Sequence, residues 1–321
     1  MRRSRRPIVR RGADLHVHTT HSDGACTPAE VVRSAAAVGL AALAITDHDT
    51  VSAITPARLE AARVGIELIP GVELTAERDG REVHILGHFV SEDDPDLVAA
   101  TQALRAAREA RIVAMVDRLD ALGASVDLDF LRRSFPRATL GRKHLADYLH
   151  RTGQVATYRD AFGRYLGDGG PAQVAKPRLP WRDAIALIRG AGGVAGWAHP
   201  PYDACFESCR ELADGGLGAI EVRGPATSAR ITLRWRGWAD ELGLAVTAGT
   251  DFHAPDRPGR WVGAITLPTA DLDRLRDQCR PSLSAPVEVS HGVQGSVRSV
   301  QEGVVADGPV VRLPDLDRPE G

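Results

Sequence analysis

Residues 13–24 read ADLHVHTTHSDG. Directly behind a short apolar start, the segment carries Asp14, His16, His18, His21 and Asp23. Side chains of a strand alternate between its two faces, so His16 and His18 point the same way. On strict alternation Asp14 shares that face at the buried, upstream end and reads as structural. Asp23 follows in the HSDG turn, and His21 sits on the turn as a bystander. An H-x-H pair alone is common and a satisfied core histidine explains most of them. Its meaning depends on whether other strand ends repeat the pattern.

They do. With 13–18 as the first, candidate strands recur at 42–46 (ALAIT), 66–74 (IELIPGVEL), 82–89 (EVHILGHF), 194–198 (VAGWA), 218–222 (GAIEV) and 244–249 (LAVTAG). Between them lie helical stretches at 28–39, 51–64, 181–191, 205–214 and 226–242, the first opened by Thr27 as cap with Pro28 behind it. Strand–helix alternation with near-continuous apolar strands predicts an α/β fold with a largely parallel sheet, and seven strands favour a barrel.

The alternation breaks between about 92 and 178. Residues 95–123 read as one long helix with Leu97, Leu104, Val113, Val116, Leu119 and Leu122 as its apolar stripe. Shorter helices follow near 141–152 and 157–166. The expected organisation is a basic tail (1–12), a barrel in two pieces (13–91 and 179–284), a helical insertion capping its mouth (92–178) and a patternless tail (285–321).

Mapped onto these strands, the ligand-type residues fall together. The second strand runs into TDHD, giving Asp47, His48 and Asp49; the third ends in GVE, giving Glu73; the fourth carries His84. The fifth ends in AHP (His199) and the seventh in GTDFH (Asp251, His253). Loops at the C-terminal ends of barrel strands converge on one rim. Each motif alone has a bland reading: Asp47 or Asp49 could cap a helix, Glu73 could be an ion-pair partner, AHP a turn. Their joint occurrence reverses this, because several buried carboxylates without nearby lysines are costly unless something cationic joins them. Imidazole mixed with carboxylate suits zinc, manganese or iron, with magnesium also admitted. The nine residues His16, His18, Asp23, His48, Glu73, His84, His199, Asp251 and His253 are too many for one ion and about right for two or three. His88 reads as a packing residue; His150 and His291 have no evident role.

Bulk properties exclude several classes. Forty basic against 42 acidic residues give a net charge of −2, so no global field attracts polyanions. Lysine occurs only at Lys143 and Lys176. The opening MRRSRRPIVRR holds six arginines without a following apolar segment, which reads as a solvated basic tail, and no run is long enough to span a membrane. Cys26, Cys205, Cys209 and Cys279 show no paired framework, which suits a reduced, cytoplasmic protein.

Taken in order, HVHTTHSDG, TDHD, GVE, VHILG, AHP and GTDFH resemble the PHP (polymerase and histidinol phosphatase) superfamily of metal-dependent phosphoesterases over about residues 13–268. The resemblance implies a distorted (β/α)7 barrel. LGRKHLADYL, DAFGRYLGDGGPAQV and AGGVAGWAHP look like the group containing nucleoside 3′,5′-bisphosphate phosphatases and 5′–3′ exoribonucleases acting on short RNA. It implies one ion on His16, His18, Glu73 and Asp251, a second on Glu73, His84 and His199, and a third on Asp23, His48 and His253. Glu73, Asp251 and His199 are the expected catalytic centre, with a metal-activated hydroxide attacking phosphorus in line. Two departures concern substrate choice. AHP is followed by PYDACFES, with Tyr202 and Asp203 where a basic residue is usual, and Lys143 stands where a proline commonly follows GR.

For the phosphate, Arg142 and His144 are the candidate contacts, in the only tight basic cluster at a helix start; Arg223 is a weaker one. Three alternatives stay open from the residues: a histidinol-phosphate or other small-molecule phosphatase, an amidohydrolase-type metal hydrolase, and a non-catalytic metal-binding module. Many amidohydrolases bridge two ions with a strand lysine, and here both lysines lie in or beside the insertion while Glu73 occupies the bridging place. The expected partner is a phosphorylated small molecule or nucleotide, or short RNA, and no membrane.

Overall fold

The computed structural model describes residues 12–136, 139–255 and 261–279. The basic start and the tail after 279, including His291, lie outside the described residues.

Seven strands form the main path of the sheet: β1 (Ala13–Asp14), β2 (Ala42–Ile45), β3 (Glu67–Arg78), β4 (Arg81–His88), then, after a short β5 (Leu179–Pro180) that pairs only with β3, β6 (Val194–Trp197), β7 (Ala219–Arg223) and β8 (Ala245–Ala248). The order is β1-β2-β3-β4-β6-β7-β8. The first paired segment is shorter than the predicted 13–18. Beyond Asp14 the chain stays beside the end of β8: Leu15 N–H donates to Ala248 O (3.1 Å) and His18 N–H to Phe252 O (2.9 Å). These bonds bring the first and last strands together into a nearly closed barrel of mixed α/β architecture, in agreement with the expected class.

The sheet is not uniformly parallel. β4 runs antiparallel to both neighbours, β3 and β6. No helix joins β3 to β4; the chain turns through Asp79 (φ 53°) and Gly80 (φ 74°), and two successive positive φ values are what a tight hairpin turn with the right-handed strand twist requires. An Asp-Gly pair between two apolar runs carries that signal, and strand–helix alternation overlooks it.

Helices cover the barrel. α1 (Pro28–Ala37) starts with a full capping box, since Thr27 Oγ1 accepts from Glu30 N–H while Glu30 accepts from Thr27 N–H. α2 (Ile54–Val64) follows β2. α7 (Trp181–Gly190), α8 (Phe206–Asp214) and α9 (Ala229–Leu242) alternate with the later strands, and an unforeseen α10 (Thr269–Asp277) packs beside β8.

Between β4 and β5 lie α3 (Pro95–Ala121), α4 (Leu128–Ser134), α5 (Arg142–Arg151) and α6 (Tyr158–Ala161), which runs into a π-helical turn at Phe162–Leu166. α3 serves two cores. Leu97, Ala100 and Leu104 pack into the barrel core, whereas Ile112, Met115 and Leu119 pack with Leu131, Leu145, Leu149 and Leu166. The predicted stripe therefore fails in its second half: Val113 and Leu122 are exposed, and Ile112 and Met115 are buried. A helix that changes partner midway need not keep one stripe along its length. Burying Ile112, Met115 and Leu119 contributes roughly 1.5–3 kcal/mol each to the stability of this second cluster. No helix among the described residues is long and apolar enough to cross a membrane, and all four cysteines are free.

Candidate metal centre

All nine predicted ligand-type side chains meet at one end of the barrel. Four overlapping groups have donor atoms mutually within 4.8 Å: His18, Asp23, His48 and His253; His16, His18 and Asp251; His16, Glu73 and His199; His48, Glu73 and His84. The first adds His18 to the expected Asp23, His48 and His253, the second lacks the expected Glu73, and the last two separate His84 from His199, which were expected together. Both rings face the same oxygen, Glu73 Oε1, at 2.9 and 3.0 Å.

Glu73 is the hub. It is fully buried on β3, and its other oxygen, Oε2, lies 3.4 Å from His16 Nε2, 3.3 Å from His18 Nε2 and 2.9 Å from His48 Nδ1. His48 arrives there because the chain beyond β2 keeps step with β3: Asp49 N–H donates to Glu73 O (3.0 Å) and Glu73 N–H to Asp47 O (3.2 Å). Asp251 Oδ1 is 3.4 Å from His18 Nε2 and 3.6 Å from His16 Nε2. Asp23 Oδ1 is 3.1 Å from His253 Nε2. Burial opposes charge on Glu73, yet the rings of His48, His84 and His16 outweigh it and hold the carboxyl well below the usual range. Burial pushes His48 down to about 4.

The backbone is bent to make this cluster. Asp49 (φ 50°), His199 (φ 27°) and Asp251 (φ 46°) sit at three different strand ends with positive φ, a conformation costly to non-glycine residues and concentrated at functional sites. Gly249 is required by close approach: a Cβ there would lie 2.3 Å from His16 Cβ and 2.5 Å from His16 N.

Several residues outside the predicted set orient the ligand-type ones. Glu221, buried on β7, accepts from His16 Nδ1 (3.0 Å) and, through its second oxygen, from His199 N–H (2.7 Å). Glu82 lies 2.8 Å from His84 Nε2 and so leaves Nδ1 facing Glu73. Such outer partners fix tautomer and ring orientation in metal sites. Glu221 was hidden in an apparently apolar strand; the inward parity of GAIEV was its only signal.

Neither Asp47 nor Asp49 caps α2, whose N-cap is Ala53 without a side-chain bond. Asp47 ties down the first loop, accepting from Thr19 N–H and Oγ1 (2.7 Å each) and Ser22 Oγ (2.5 Å). Asp49 accepts from Thr75 N–H (2.7 Å) and pairs with the Arg108 guanidinium. Asp14 is structural, holding Thr250 and Gly263 N–H (2.9 and 2.8 Å), and burial raises its pKa to about 6. His21 Nδ1 bonds Ser52 Oγ (2.7 Å), and His88 Nε2 bonds Leu15 O (2.9 Å). His150 is exposed.

A cleft of about 320 Å³ opens from Asp23 and His48 towards α3, α5 and α6. Arg142 and His144 line it, with Arg108, Arg111, Lys143 and Lys176 and the rings of Tyr158 and Phe162. Arg142 is already engaged by Asp168 Oδ1 (2.7 Å), and His144 Nδ1 accepts from Gly141 N–H (3.0 Å). The exposed Arg223 is not among the lining residues.

The donors fit divalent cations. Glu73 Oε2, His16 Nε2, both ring nitrogens of His18, His48 Nδ1 and Asp23 Oδ1 are buried without hydrogen-bond partners. Unpaired buried polar atoms are expensive, and each of these belongs to a residue of the four donor groups. The mixed N/O set matches transition-type ions. A near-closed α/β barrel with a His/Asp/Glu cluster at its mouth and a basic cleft beside it defines a metal-dependent phosphoesterase.

Comparison with known proteins agrees. Residues 14–174 match the PHP domain, and the chain belongs to this family. It is 38% identical over 251 residues to a 5′-3′ exoribonuclease of Haemophilus influenzae, covering 75% of this chain and 90% of that one. It is 37% identical over 275 residues to a 3′,5′-nucleoside bisphosphate phosphatase of Chromobacterium violaceum, covering 84% and 94%. A predicted metal-dependent phosphoesterase of Bifidobacterium adolescentis superposes with a TM-score of 0.75 at 28% identity, over 84% of this chain and 96% of that one.

Proposed function

We propose that the protein hydrolyses phosphomonoesters of nucleotides, either a nucleoside 3′,5′-bisphosphate or the 5′ end of a short RNA. Two to three divalent ions, manganese, zinc or iron with magnesium as a further option, would be held by His16, His18, Asp23, His48, Glu73, His84, His199, Asp251 and His253. The observation that carries the nucleotide reading is the cleft. It joins one end of the metal-ligating cluster to a wall of cationic side chains and two aromatic rings. Cations suit phosphate oxygens, and rings supply a stacking surface for a base. The relatives named above, an exoribonuclease and a bisphosphate phosphatase, support the same substrate class.

Bound ions supply Lewis acidity and a nucleophilic water at neutral pH. The chain's own residues do the rest. Glu73, with five imidazoles around it, fixes the spacing of the cluster, and Asp251 and His199 complete its two sides. Arg111, together with Arg108 and Lys176, which pair with Asp49 and Glu82, would face the substrate phosphates along the cleft, beside Arg142 and His144. Residues 92–178 would act as the recognising cap and 13–91 with 179–279 as the catalytic barrel; 280–284, also expected in the barrel, lie outside the described residues. The test is manganese-supplemented hydrolysis of a nucleoside 3′,5′-bisphosphate, a 5′-phosphorylated short RNA and histidinol phosphate side by side. Nucleotide turnover at least about tenfold faster than histidinol phosphate is expected; the reverse order defeats the nucleotide reading.

A further inference from the structure

Lys143 stands apart from Arg108, Arg111, Arg142 and Lys176 because it pairs with one of the nine candidate metal ligands. It is the second residue of α5, and its Nζ lies 2.7 Å from Asp23 Oδ2. The other oxygen of the same carboxylate, Oδ1, faces His253 Nε2 at 3.1 Å. Asp23 is the sole acid in the group formed with His18, His48 and His253. A divalent ion in that group therefore meets three imidazoles and one carboxylate whose charge an ammonium already matches. The groups built on Glu73 and Asp251 differ: among the described residues, the ion pairs of these two carboxylates are with histidines alone.

Resting on the metal-centre reading above, we propose that Lys143 is a built-in counter-charge to Asp23 that makes the His18–Asp23–His48–His253 position the weak, exchangeable ion site of the cluster. The lysine side chain is about half exposed, so its ammonium can draw back from Oδ2 when an ion enters while staying beside Asp23; it repels the ion and does not exclude it. Like charges set the size of the effect. Even at the dielectric constant of bulk water, a unit charge about 6 Å from a divalent ion changes its affinity about tenfold, and less water increases the effect. The insertion would in this way tune how many ions the barrel holds at a given metal concentration.

The experiment is a Mn2+ titration of the metal-stripped full-length protein, followed by the electron paramagnetic resonance signal of free Mn2+, on the wild type, Lys143→Met and Lys143→Arg. The wild type should bind its tightest equivalents and then a weaker last one. Lys143→Met should tighten only that last equivalent, by about tenfold or more, and Lys143→Arg should restore the weak binding. An unchanged or weakened last equivalent in Lys143→Met overturns the proposal, as does a wild type whose equivalents are all equally tight, or loss of the tight equivalents in Lys143→Met. A wild type that takes up no Mn2+ at all defeats the metal reading itself, and the proposal with it.

Discussion

Glu221 offers a demanding prediction, because it would contact no ion and no substrate. Its two oxygens accept from His16 Nδ1 and from the backbone N–H of His199, both at the centre of the cluster. In Glu221→Ala both donors lose their partner in a buried setting. Each unsatisfied buried group costs about 1–3 kcal/mol, so the pair puts roughly 2–6 kcal/mol at stake, less what the protein recovers by no longer burying a carboxylate. His16 also loses the group that orients its ring with Nε2 towards Glu73 and Asp251. Loss of such an outer partner lowers metal affinity about 10–100-fold. Glu221→Gln, which keeps an acceptor oxygen but no charge, should fall between. Titration of the metal-stripped proteins with Mn2+, together with kcat/KM on a nucleoside 3′,5′-bisphosphate, reads both effects. If Glu221→Ala bound Mn2+ within about twofold of wild type while folding normally, the orienting role argued for Glu221 would be refuted.

Three further outcomes follow from particular contacts. Arg108→Ala leaves the buried Asp49 carboxylate without its guanidinium and should destabilise the protein by about 3–5 kcal/mol in urea unfolding. Gly249→Ala drives a methyl into His16; an overpacking cost of about 1–3 kcal/mol, with loss of Mn2+ affinity, should appear in thermal melts and metal titration. Tyr158→Ala removes a ring from the cleft wall and should raise KM for a nucleotide by roughly fivefold or more, since stacking contributes about 1–3 kcal/mol per base; glycerol phosphate turnover, with no base to stack, should not change.

Much of this was legible in the sequence for a physical reason. Ligand-type residues gather where barrel strands end, so HVH, TDHD, AHP and GTDFH each mark a strand terminus by their own chemistry, and much of the chain's path follows from joining them; GVE does not, since β3 runs on past Glu73 to Arg78. What escaped was set by contacts between distant segments. The antiparallel β4 depends on a two-residue turn, Asp79–Gly80, that strand–helix counting treats as noise. The stripe of α3 shifts because its two halves meet different cores. Glu221 and Glu82 act on His16 and His84 across strands or along one, without a motif of their own. The cations of the cleft come from α3, α5 and the segment before β5, which only the folded insertion brings together.

Five imidazoles converge on the Glu73 carboxylate, which makes it the hub of the proposed multi-ion centre. The most direct measurement is the metal content of the purified protein and of Glu73→Gln, by elemental analysis after equilibration with Mn2+ and gel filtration. Wild type should retain at least two equivalents, and Glu73→Gln, with the shared carboxylate neutralised among five imidazoles, should retain fewer than one and lose phosphoesterase activity. Two retained equivalents in Glu73→Gln, or none in an active wild type, would contradict the account.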